Sequence, residues 1–249
     1  MTALILALIA GAVVGLTLGA LGGGGSVLAV PALIYLLGFT PAAATTAGLI
    51  IVTATSLTAL YAHARTGRVR WKAGAAFAAA GILPAAAAGA AATHLPQAVL
   101  TIAFAATAVL SAVKMLRPAD TTRLGSGDVR PGRAAGAGAG LGALTGLLGV
   151  GGGFLAVPAL VTVLAFEMEA AVGTSLLVIT ANSLASLATR SGAGASLDWA
   201  VIGPFTGTAI LGAWDGKRLA AKVAGPRLQR VFAVVLLAVA AFMLADAVT

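Results

Sequence analysis

The chain has 249 residues, 60% of them hydrophobic and only 9% charged, with a mean hydropathy of +1.05. A soluble domain carries about 25% charged residues, so the polar side chains cannot cover a water-exposed globule, and an all-α polytopic membrane protein is predicted. The formal charge of +8 does not mark a nucleic-acid partner, because the basic residues sit in short links between apolar runs; the absence of cysteine excludes disulfides, thiolate metal sites and a cysteine nucleophile.

Five apolar segments fall in each half of the chain. They are residues 3–21, 26–38, 43–63, 73–93 and 97–116, then 134–149, 153–166, 170–189, 199–214 and 229–247. The first begins without a positive n-region and runs on into the next motif, so it is read as a retained segment. The Gly-, Arg- and Pro-rich stretch 117–133 divides the chain into a first transmembrane repeat, 1–116, a cytoplasmic linker, and a second repeat, 134–249.

The repeats are visible in the residues themselves. Gly22-Gly23-Gly24-Gly25-Ser26-Val27-Leu28-Ala29-Val30-Pro31-Ala32-Leu33 returns 127 positions later as Gly149-Val150-Gly151-Gly152-Gly153-Phe154-Leu155-Ala156-Val157-Pro158-Ala159-Leu160, identical at 9 of 12 positions. Gly11/Gly15/Gly19 and Gly138/Gly142/Gly146 precede the two copies at the four-residue spacing of small-residue helix interfaces. The third segments also correspond: Leu49–Leu60 matches Leu176–Leu187 at 6 of 12 positions, including Thr53/Thr180 and Ser56/Ser183.

Charge sets the topology. Links 65–72, 114–133 and 215–230 together hold 14 of the 15 Lys and Arg, leaving only Arg190. All three links share one side if the first two segments of each half form a hairpin, whereas a single kinked crossing would place only 10 of the 15 together. The positive-inside rule therefore selects five passes per half, two inverted repeats, and both termini outside the cell membrane. Segments 26–38 and 153–166 span only about 20 Å at a helical rise, so they are predicted to be half-helices, re-entrant after their Gly runs.

Consecutive glycines let backbone N–H groups converge into a nest, and the half-helix that follows adds its positive N-terminal end. Gly22, Gly23, Gly24, Gly25 and Ser26, with Gly149, Gly151, Gly152 and Gly153, are therefore candidate ligands for an anion in a membrane interior that carries no Lys or Arg. Thr53 and Ser56 share one helical face, as do Thr180 and Ser183. With Asn182 they are candidate substrate contacts, the competing role being interhelical or back-bonded hydrogen bonds. His63, beside the basic link, is a candidate proton-coupling group. His94 is expected in solvent, Glu167 and Glu169 near the start of the eighth segment as dipole partners, and Trp71, Trp199 and Trp214 as interfacial anchors.

With these residues in view, the chain resembles the sulfite exporter TauE/SafE family of membrane permeases, on the doubled glycine-run/Val-Pro-Ala-Leu motif and on Ala171-Val172-Gly173-Thr174-Ser175-Leu176. The resemblance implies movement of a small sulfur-containing or organic anion, such as sulfite, sulfoacetate or a related sulfonate, with about eight full crossings. At Thr45-Thr46-Ala47-Gly48 the first half departs from that pattern.

The function read from the sequence is secondary transport of a small anion by alternating access at the two Gly-rich motifs. An anion channel and a non-transporting membrane subunit are the alternatives. No enzyme motif, Walker-type nucleotide site, cofactor or metal site is found. The expected partners are the substrate, the bilayer and a coupling ion, a proton being the candidate. Oligomeric state is left open.

Overall fold

A computed structural model describes residues 2–21, 26–92, 96–116, 131–148, 153–164, 166–190, 197–220 and 225–248. Among these residues all regular structure is helical: α1 Thr2–Leu21, α2 Ser26–Pro31, α3 Pro41–Ala64, α4 Trp71–Ala92, α5 Gln97–Leu116, α6 Pro131–Leu148, α7 Gly153–Val163, α8 Met168–Arg190, α9 Trp199–Ala220 and α10 Gly225–Val248. Five helices per half match the five apolar segments. Several helices outrun the apolar stretches that announce them: α6 starts at Pro131, inside the expected linker, and α9 carries Asp215, Lys217 and Arg218 in its last turns. Hydropathy stops at the first charges, while a helix continues for as long as its backbone bonds close.

Both second helices contain a proline, Pro31 and Pro158, which removes a backbone donor. In the first half the chain answers with wider π-type turns over Ala32–Leu36; α7 stays α-helical past its proline. Gly38, at φ +69°, then ends the element, with the Gly38 N–H donating to Ile34 O (3.1 Å) and the Phe39 N–H to Leu33 O (3.0 Å), a glycine-closed C-terminus. Thr40 caps α3: its Oγ1 accepts from the Ala43 N–H at 3.3 Å, with Pro41 at the first helical position. Thr40→Ala is expected to lower stability by about 1 kcal/mol, read as a lower unfolding midpoint in detergent.

The two glycine stripes decide how the halves interlock. A Cβ on Gly15 or Gly19 would collide with the carbonyl oxygens of Ala209 and Ala213 on α9. One on Gly142 or Gly146 would collide with those of Gly81 and Ala85 on α4. Each half's first helix therefore packs on the fourth helix of the other half, the two pairs forming the most extensive helix contacts in the molecule. Between hydrocarbon-facing helices, such close backbone approach gains dispersion contact where no hydrophobic force acts. Partner positions rise together along the chain, so α1 runs parallel to α9 and α6 parallel to α4. Gly74 faces Thr174 and Gly81 faces Asn182, so α8 is also parallel to α4.

The third helices run opposite to each other. Ser56 of α3 meets Thr180 of α8, while farther along α3 the link after Ala64 meets the start of α8, with Arg68 on Glu169 and the Arg70 N–H donating to Thr174 Oγ1 at 3.0 Å. Corresponding helices of the two halves are thus antiparallel, and the repeats are inverted. The same contacts fix the role of α7. Because α6 and α8 both run parallel to α4, α7 must return the chain to the face where α6 began. The two form a hairpin rather than one kinked crossing, as the positive charges require. The 11 residues of α7 rise only about 16 Å.

Outward-facing residues repeat the symmetry. Trp71 and Trp199 open α4 and α9 and are exposed, and mid-helix Leu83 and Leu211 are 79% and 68% exposed. Such faces belong against lipid, with the tryptophans at the interface.

Candidate functional site

Helices α3 and α8 form the central antiparallel pair, and between them they carry most of the buried polar residues. Thr53, Thr55, Ser56, Thr174, Ser175, Thr180, Asn182, Ser183 and Ser186 are all buried. At the crossing, Ser56 Oγ and Thr180 Oγ1 lie 2.8 Å apart. Each hydroxyl also reaches a carbonyl of its own helix, Thr180 Oγ1 that of Leu176 at 2.8 Å and Ser56 Oγ that of Thr53 at 3.2 Å, so either can donate to the other. Under the internal repeat Ser56 corresponds to Ser183 and Thr180 to Thr53, which makes a second pair, Thr53 with Ser183, the symmetric expectation.

That second pair does not close. Thr53 Oγ1 donates to Leu49 O at 2.7 Å, and Ser183 Oγ has no hydrogen-bond partner. Asn182 departs further: it is 1% exposed, and neither its amide nitrogen nor its amide oxygen is paired. Its counterpart Thr55 is satisfied locally through Ile51 O at 2.7 Å. An unpaired buried polar atom costs about 1–3 kcal/mol, so α8 holds donors and acceptors in reserve, Ser183 on the face it shares with Thr180 and Asn182 toward α4.

The sequence-predicted ligands divide accordingly. Ser56, Thr180 and Ser183 lie on this seam, Asn182 is about 200° round α8 from Thr180 and faces Gly81 of α4, and Thr53 spends its hydroxyl on its own helix. Gly22, Gly23, Gly24, Gly25, Gly149, Gly151 and Gly152 lie outside the described residues, as does His94. Ser26 and Gly153 are the first residues of α2 and α7. These two short helices touch each other, α2 lying on α3 and α7 on α8. His63 lies in the last turn of α3 and is 3% exposed; beyond it the Thr66 and Arg68 N–H groups and Thr66 Oγ1 bond back to its carbonyl, and the Gly67 N–H to that of Ala64. Glu169 does lie in the first turn of α8, where it pairs with Arg68 at 3.4 Å. At these exposures the pair contributes under about 1 kcal/mol.

Gly81 was not singled out by sequence. It has no motif, and only its alignment with Ala209, 128 positions on, marks it. A cavity of about 440 Å³ between α1, α2 and α10 is lined by apolar side chains including Leu6, Ile9, Leu28, Tyr35 and Phe242. It suits hydrocarbon and offers an anion nothing.

The family model described as sulfite exporter TauE/SafE matches residues 7–243, nearly the whole chain. This chain belongs to the sulfite exporter TauE/SafE family. It is 33% identical to a probable membrane transporter protein of Xylella fastidiosa strain 9a5c, over 97% of this chain and 95% of that one. It is 31% identical to the probable membrane transporter protein of strain Temecula1, with the same coverage. No solved structure matches the chain. As a TauE/SafE member it is a multi-pass membrane transporter, not an enzyme.

Proposed function

We propose that this transporter is a secondary carrier of a small anion, sulfite, sulfoacetate or a related sulfur-containing or organic anion, moved across the cell membrane by alternating access. The observation that supports this reading is the buried, partly unsatisfied hydroxyl seam between two antiparallel helices, against which the half-helices α2 and α7 pack. Neutral donors are the right chemistry there. In a low-dielectric interior a backbone or hydroxyl donor holds an anion without adding a charge that would itself need solvation. The substrate is held between the N–H groups of Gly22–Ser26 and Gly149–Gly153 and the hydroxyls of Ser56, Thr180 and Ser183. The inverted halves supply two related states, in which rocking about the α3–α8 seam exposes the site to one face and then the other. His63, at the inner end of α3, is the group placed to couple a proton.

In this reading links 65–72, 114–133 and 215–230 face the cytoplasm, 117–133 being the linker, and both termini lie outside. The cysteine-free chain makes the site directly testable. A single cysteine at Ser26 or Gly153 is expected to react with a membrane-impermeant thiol reagent and to be protected several-fold by transported anion. Reaction that transported anion leaves unchanged would remove the two motifs from the site.

A further inference from the structure

Asn182 is the least satisfied polar group in the described interior, and its surroundings make room for it. Both amide atoms are unpaired and sealed from solvent. The amide lies over Gly81 of α4, where a Cβ would stand 2.9 Å from Gly138 O of α6 and 3.1 Å from both Nδ2 and Oδ1 of Asn182. In the related position of the other half the pair is Thr55 with Ala209. Threonine there closes its own hydrogen bond, and an alanine methyl is tolerated. The larger amide and the missing methyl thus occur together on one side only.

A free primary amide is a paired donor and acceptor. Its complement is a group with an acceptor and a donor on the same centre, as in an oxyacid that keeps one proton: Nδ2–H donates to an S=O or C=O oxygen while Oδ1 accepts from the neighbouring O–H. Because both amide atoms are free, the match holds for either orientation of the side chain. A fully ionised oxyanion or a sulfonate satisfies only the nitrogen and leaves Oδ1 facing negative oxygen. Resting on the carrier reading above, we infer that Asn182 selects the singly protonated form of the transported oxyanion, so that a proton crosses the membrane on the substrate itself.

The ionisable side chains near this point are at helix ends. On α8 they are Glu169 and Arg190; on the packed helices they are Tyr61 and His63 of α3, Lys72 of α4, Arg133 of α6, and Arg227, Arg230 and Asp246 of α10, with Arg68 and Arg70 in the link. Arg190 is about 12 Å from Asn182 along the helix, and Lys72 about 13 Å from Gly81. A proton at Asn182 is therefore the ligand's.

The test uses the whole protein in vesicles, with sulfite and methanesulfonate as probes at fixed total concentration and equal pH on both sides, leak through protein-free vesicles subtracted. Sulfite's second ionisation falls near neutrality, while methanesulfonate keeps one charge and has no O–H. Methanesulfonate flux reports any titration of the protein itself, His63 included, and sulfite flux is expected to fall relative to it by about tenfold per pH unit above that ionisation. Asn182→Thr, the residue of the other half, is expected to cut sulfite flux about tenfold or more at the acidic end and flatten its pH profile; methanesulfonate should lose several-fold less. Sulfite flux independent of pH relative to methanesulfonate would overturn the inference and leave the carrier reading standing, and this wild-type arm needs no variant to fold. Equal losses of both anions in Asn182→Thr would make the amide a packing group. No flux of either anion would overturn the carrier reading and the inference together.

Discussion

Gly15→Leu or Gly142→Leu is expected to leave no monodisperse protein after detergent extraction. The added side chain would enter the space held by the carbonyl oxygen of Ala209 in one case and of Gly81 in the other. Ordinary overpacking of a core costs about 1–3 kcal/mol because side chains can turn aside. Here the colliding atoms are backbone, so the two helices must part along their length. Each stripe also joins one half of the molecule to the other, and losing one pair unlocks the halves. Gly140→Leu is the control: a Cβ there meets nothing within 4 Å, so the variant should stay within about 1 kcal/mol of wild type. Size-exclusion profiles and unfolding midpoints of the three variants decide the matter. Normal folding of Gly142→Leu would refute the α4–α6 packing.

The second large effect falls on transport rather than folding. Thr180→Val keeps shape but removes the hydroxyl that pairs with Ser56 and reaches Leu176 O. Interhelical hydrogen bonds in membranes contribute about 0.6 kcal/mol on average, so the unfolding midpoint should hardly move. A hydrogen bond to a charged ligand contributes about 1.5–3 kcal/mol, and flux is expected to fall about tenfold or more. Ser56→Ala should act in the same direction, and the double variant should show less than the sum, since the two hydroxyls form one unit. Wild-type flux in both variants would reduce the pair to a packing contact.

Much of this architecture is legible in the chain because a bilayer constrains sequence so strongly. Ten apolar segments become ten helices, and the segregation of Lys and Arg already requires that α1/α2 and α6/α7 be hairpins. What the residues do not announce is pairing. A stripe such as Gly11/Gly15/Gly19 specifies how near a neighbour comes, not which neighbour, and the crossing of each stripe onto the opposite half emerges only in three dimensions. Helix ends are misjudged where charges ride on the last turn, as at Asp215–Arg218. His63 ends its apolar segment beside the basic link, yet it is buried. Within the site, the repeat marks Ser56 and Thr180 as candidates, but neither their meeting across α3 and α8 nor the imperfect symmetry of the seam is written in it. Asn182 against Thr55 reads as a modest substitution until Gly81 is seen beneath the amide.

Anion flux by this protein alone, reconstituted in sealed vesicles, tests the central claim most directly. Sulfite, sulfate, thiosulfate, sulfoacetate and acetate would each be offered with and without a pH gradient. Saturable uptake of a sulfur oxyanion or sulfonate is the predicted result, with turnover that slows when Thr180 is replaced. No uptake of any of the five by folded protein, or a current that never saturates, would contradict a carrier built on this seam.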